Sequence, residues 1–183
     1  MTPLFTLKAS LIAAACLALP LAQAATMAKA DYKIDKDRIS TAYKVDKAVC
    51  GALKDNAKDI CVEEAKAKEK VGKAELEFNY TGKANDGNKV LVAKAEAAYA
   101  VAKEKCDDLA GNTKDVCVKE AKAVEIKALA DAKMGKEIGI AKRDAATDKK
   151  DADYKVDIEK CDSQTGDVKT LCVSTAKLKF GKS

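Results

Sequence analysis

Histidine is missing from all 183 residues, and so is tryptophan. Without imidazole the chain lacks the commonest general base near neutral pH and the commonest metal ligand. Aromatic residues make up only 4% of the chain, too few to assemble a base-stacking platform or an aromatic sugar site. Arginine occurs only as Arg38 and Arg143, so nearly every cation is a lysine, which lacks the planar fork suited to bidentate phosphate or base contacts. Specific nucleic-acid recognition is therefore not expected. Large apolar side chains are also scarce, because alanine supplies much of the 48% hydrophobic fraction, and a deep core is not available.

The first residues stand apart. After Lys8 the run Ala9 to Ala24 is almost wholly apolar and ends in Ala22-Gln23-Ala24, a small-x-small cleavage site. The run is shorter than the roughly 20 residues a membrane helix needs, and Pro20 suits a leader better than an anchor. We read residues 1–24 as a cleaved signal peptide, with no transmembrane span after cleavage. Cys16 sits inside the apolar run without the leucine that a lipidation site carries three residues earlier. Removing the leader takes only Lys8 from the cations, so the +5 of the whole chain becomes +4 (33 − 29), with both signs interspersed.

The other six cysteines form three pairs of equal spacing: Cys50 with Cys61, Cys106 with Cys117, Cys161 with Cys172. The first member recurs after 56 and then 55 residues. Tyrosine stands seven residues and valine five residues before each pair, as Tyr43 and Val45, Tyr99 and Val101, Tyr154 and Val156. The tails Val62-Glu63-Glu64-Ala65-Lys66, Val118-Lys119-Glu120-Ala121-Lys122 and Val173-Ser174-Thr175-Ala176-Lys177 correspond as well. Agreement at so many positions marks an internal repeat. Between the cysteines lie Asp55-Asn56, Gly111-Asn112 and Gly166-Asp167, where glycine is expected to end one helix and Asn or Asp to cap the next. Each repeat then reads as a helical hairpin whose two cysteines face each other across the arms. A disulfide there contributes on the order of 3 kcal/mol by restricting the unfolded chain.

The flanking segments are rich in Ala, Lys, Glu and Leu, with acid-before-base pairs four apart such as Glu64–Lys68, Glu69–Lys73, Asp115–Lys119 and Asp151–Lys155. Val45, Val49 and Leu53, and Ile60, Ala67, Val71, Ala74 and Phe78, fall at helical spacing and predict a narrow packing stripe of the coiled-coil kind. The expected fold is all-α: three disulfide-stapled hairpins with coiled-coil-like arms in a slender or elongated bundle. The arms are expected near 28–54, 57–80, 89–110, 113–134, 137–165 and 168–180. Repeat 1 covers 25–80, a linker loop 81–88 built on Gly82 and Asn85-Asp86-Gly87-Asn88 follows, and repeats 2 and 3 cover 89–135 and 136–183. Gly135 and Gly139 weaken a helix by about 1 kcal/mol each without necessarily ending it, which leaves open one helix from Lys114 towards Thr165.

Catalytic, cofactor and metal residues are all expected to be absent. The paired cysteines could serve as thiolate ligands, but a tetrahedral site would need two pairs from different repeats, and ten intervening residues exceed the usual two to four. In an exported chain the structural disulfide is the expected state. The acidic groups Asp31, Asp35 and Asp37, and Asp144, Asp148, Asp151 and Asp153, lack the glycine and spacing of a calcium loop and are interleaved with lysine, as on a solvated helix face. The tyrosines before each pair are expected to pack towards the bridge.

The motif Lys105-Cys106-Asp107-Asp108-Leu109-Ala110-Gly111-Asn112-Thr113-Lys114-Asp115-Val116-Cys117 and the ending Ala176-Lys177-Leu178-Lys179-Phe180-Gly181-Lys182-Ser183 resemble a group of Lys/Ala-rich Gram-negative envelope proteins labelled TolA-like. The resemblance covers most of the chain beyond residue 24 and implies a periplasmic address, or secretion where the host lacks a periplasm. The paired helical cysteines also look like those of coiled-coil-helix-coiled-coil-helix proteins. The expected function is a non-enzymatic envelope scaffold or binding module acting through lysine-rich helix faces, with envelope proteins, anionic surface polymers or further copies of itself as partners. A holdase-type chaperone, a cation-binding protein and an enzyme using carboxylates and lysine are the alternatives.

Overall fold

The computed structural model describes residues 27–182, so the signal-peptide reading of residues 1–24 and Cys16 lie outside the described residues. Five helices follow one another: α1 (Lys29–Cys50), α2 (Asp55–Thr81), α3 (Ala84–Cys106), α4 (Gly111–Asp162) and α5 (Gly166–Phe180). There is no strand among the described residues. Among the described residues each helix packs only on chain neighbours: α1 on α2, α2 on α3, α3 on α4 and α4 on α5. The three expected disulfides close the hairpins, with Cα–Cα distances of 5.6 Å at Cys50–Cys61, 5.7 Å at Cys106–Cys117 and 5.6 Å at Cys161–Cys172. The first cysteine of each pair is fully buried.

Alanine makes the packing close. The central helix α3 buries Ala93 and Ala97 with Val90 on one face and Ala95 on the opposite one, so it meets α2 and α4 at once through methyl groups. Charged side chains line the edges of these seams, as in Lys105–Glu64 (2.9 Å), Lys94–Glu75 (2.7 Å) and Lys70–Glu96 (2.6 Å) between α2 and α3. Exposed pairs of this kind contribute about 0–1 kcal/mol each.

The expected linker loop 81–88 is mostly helix. Only Gly82 and Lys83 separate α2 from α3; Gly82 adopts φ 62° and returns its N–H to the carbonyl of Phe78 at 2.8 Å. The turn-like run Asn85-Asp86-Gly87-Asn88 is held in the first turns of α3 because the Thr81 hydroxyl donates to Asp86 at 2.6 Å and Lys89 donates to the same carboxylate at 2.8 Å. Gly87 is there for room: a Cβ would stand 3.0 Å from the Phe78 ring.

At Gly135 and Gly139, where the sequence is compatible with either two arms (113–134 and 137–165) or one, α4 is a single helix of 52 residues, about 78 Å long. Repeats 2 and 3 share it. An added Cβ at Gly135 or Gly139 would meet nothing within 4 Å, so these glycines weaken the helix without any packing that would bend it.

The hairpin turns differ from expectation in their caps. α2, α4 and α5 begin after Lys54, Ala110 and Thr165, none of which makes a side-chain cap hydrogen bond. The next residues, Asp55, Gly111 and Gly166, take φ of 49°, 55° and 57°. Glycine here starts the second arm through a left-handed step instead of ending the first arm. Asn56, expected as a cap, reaches sideways to the neighbouring hairpin, donating to the Glu104 carbonyl at 2.9 Å and to Asp108 at 2.7 Å. That tie sets the turns of hairpins 1 and 2 side by side.

Candidate functional site

The arrangement of α3 and α4 creates the feature with most chemical character. Where the chain enters α3 it faces the two glycines of α4, and a cleft of about 760 Å³ opens between them. Lys83, Lys136 and Arg143 line it; among the described residues no carboxylate does, and the Asn88 side-chain oxygen buried at its wall has no hydrogen-bond partner. Glycine at 135 and 139 removes the side chains that would fill the cleft from α4, and the first amides of α3 lie at its rim, where the positive end of a helix favours an anion. Three cations and a helix start suit a phosphate, sulfate or carboxylate group. The sequence signal was the four-residue glycine spacing, which we read only as a weakness in the helix.

Elsewhere several charged residues are engaged with one another. Hydrogen bonds from Lys89 and Thr81 hold the Asp86 carboxyl below the ordinary carboxylate range; Lys182 does the same for Asp151 and Lys179 for Asp157. Bonds to Glu63, Asp86 and Glu125 hold the ammonium groups of Lys66, Lys89 and Lys122 above their usual value. The Tyr32 phenol is pushed up by its 3.0 Å bond to Glu77. All of these carboxyls and amines move towards their charged forms, the opposite of the tuning that makes a carboxyl a general acid or a lysine a general base near neutral pH.

The six cysteines are joined pairwise, as expected. The acidic groups do not converge, and no cluster of three or more Cys, Asp or Glu able to hold a metal ion occurs among the described residues. Asp35 pairs with Arg38 on its own helix and Asp151 with Lys182 across the third hairpin. The repeated tyrosines stand two turns below each bridge, half-buried. Tyr99 lies under the Lys122 ammonium at 4.6 Å, and Tyr154 meets Phe180 edge-on at 5.8 Å, so these two rings seat a side chain of the opposing arm, whereas Tyr43 lies 5.9 Å from Lys47 of its own helix.

The stripe of Val45, Val49 and Leu53, expected to pack, is solvent-exposed; Val45 and Val49 are 56% and 65% accessible. With Ile34, Val45 and Val49 mark the side of α1 turned away from α2, and Leu53 follows in the turn beyond its end. No described helix is long and apolar enough to cross a membrane. Scans of protein-family models, of curated proteins and of solved structures find no match to this chain.

Proposed function

We propose that the protein is a non-enzymatic scaffold or binding module of the cell envelope, in the periplasm or outside the cell, that presents lysine-rich helix faces to anionic partners. The observation that carries this reading is the cleft lined by Lys83, Lys136 and Arg143, with no acidic residue on its wall among the described residues. It lies beside an α4 whose residues from Lys133 to Lys150 are all exposed. Three disulfides support an oxidising compartment. The partner class that fits is an acidic polymer or an acidic patch of another envelope protein. Binding to anionic vesicles or to a polyanionic cell-wall polymer should weaken steeply with added salt. The double substitution Lys136→Glu with Arg143→Glu should weaken it further. Salt-independent binding, or no binding together with no envelope partner on cross-linking, would sink the proposal.

A holdase-type chaperone is the second reading, favoured by the exposed Ile34, Val45 and Val49 on α1. Here Val45→Ser with Val49→Ser should abolish suppression of client aggregation, and an unaltered activity would contradict it.

A further inference from the structure

A flank of α4 at the edge of its seams with α3 and α5 carries a pattern that the interior of the molecule already uses. By repeat distance, residues of α2 correspond to those 56 further on in the first part of α4, and residues of α3 correspond to those 55 further on in its last part. The seam between α2 and α3 is bridged by Glu64–Lys105 and Glu75–Lys94. Their counterparts on α4 are Glu120 with Lys160 and Asp131 with Lys149. Acid and base are conserved at both positions, yet on a single straight helix the partners are far apart: Glu120 and Lys160 are about 60 Å from each other. Glu120, Asp131 and Lys149 make no ion pair among the described residues.

At 100° per residue Glu120, Val124, Asp131, Lys149, Val156 and Lys160 all fall within about 40° of one direction, so they form one stripe down the whole helix. Val124 and Val156 are 64% and 52% exposed. The stripe reads the same from either end with the charges exchanged: going out from Ile140, Asp131 mirrors Lys149, Val124 mirrors Val156 and Glu120 mirrors Lys160. Only an antiparallel neighbour with the same stripe satisfies every position.

We propose that this flank of α4 binds the same flank of a second copy of the chain, antiparallel about a two-fold axis that crosses the helix at the level of Ile140, whose own side chain lies on the cleft side. The first part of each α4 then packs on the last part of its partner, reproducing between chains the contact that α2 and α3 make within one. It is an isologous, self-closing contact, the topology of a domain swap. Nothing obstructs it, because the α2–α3 template also carries one further helix on each outer side, α1 and α4, just as the pairing α4 segments carry α3 and α5. The cationic cleft opens on the α3 side of α4 and stays accessible.

Light scattering on the purified protein should give twice the chain mass. Asp131→Lys should raise the dissociation constant about tenfold or more by placing like charges opposite each other, and adding Lys149→Asp should restore it. Val124→Asp, on an exposed position, should weaken the dimer while leaving helicity unchanged. Zero-length carboxyl–amine cross-linking of an equal mixture of ¹⁴N and ¹⁵N protein should join Asp131 to Lys149 in peptides carrying one light and one heavy partner. A monomer at high micromolar concentration would overturn the proposal. So would cross-links found only within one isotope, which would mean that the chain folds back on itself at Gly135 and Gly139.

Discussion

Position 55 and its counterparts 111 and 166 show how a single residue sets a hairpin. All three backbones step through positive φ at the start of the second arm, but repeat 1 uses aspartate where repeats 2 and 3 use glycine. A non-glycine residue there costs on the order of 1 kcal/mol. Gly111→Ala should therefore lower stability by about 1–2 kcal/mol in a denaturant titration, whereas Asp55→Gly should be neutral or slightly stabilising. Asp86 governs the other turn. Its carboxyl, like those of Asp151 and Asp157, is held below its unfolded value by lysine and hydroxyl donors, so its contribution is present above the unfolded pKa, about 4, and is lost as pH falls through the folded value. The melting temperature should hold steady between about pH 5 and pH 9 and drop below about pH 4. Asp86→Asn should flatten part of that drop; an unchanged acid limb would show that the carboxylate carries none of it. None of this was legible in the sequence, where Asn85-Asp86-Gly87-Asn88 has the composition of a loop. Local turn preference loses there to the Thr81–Asp86–Lys89 cluster and to the Phe78 ring lying over Gly87, both contacts with the end of the preceding helix.

Among the elements, the hairpins were the legible part. Cysteine spacing, the repeated tails and the helix-forming composition led to the three staples that the structure contains. What spacing alone could not reveal is which face of an arm meets a neighbour. Val45, Val49 and Leu53 have the period of a packing stripe, yet α1 is an edge helix with one neighbour, and that stripe lies on its free side. Because among the described residues every helix touches only its neighbours, stability is divided into nearest-neighbour seams, as in a repeat protein. Replacing Cys161 and Cys172 by serine should cost about 3 kcal/mol locally. Hydrogen exchange should then speed up in α5 and leave α1 to α3 protected. A loss of protection spread over all five helices would contradict this division. The glycines of α4 are the opposite case. Gly135→Ala with Gly139→Ala adds two methyls in open space and should raise helix stability by about 1–2 kcal/mol.

For the whole molecule, the continuity of α4 decides the shape. It places the bridge Cys106–Cys117 near one end of a rod of about 78 Å and Cys161–Cys172 near the other, with Lys133 to Lys150 bare between them. The sequence leaves this open because two glycines four apart are compatible with either a bend or a helix. The candidate cleft was hidden for a related reason: it forms from the two glycines and from lysines about 50 residues apart in the chain, which no local pattern joins. The direct test is a pulsed electron-resonance distance between spin labels on unnatural side chains at positions 123 and 157, with the labelled chain diluted in unlabelled protein. A continuous α4 predicts about 50 Å. A chain that turns at Gly135 and Gly139 would bring the two positions together as their repeat counterparts Ala67 and Ala102 are, across one groove. A distance below about 20 Å would contradict the account.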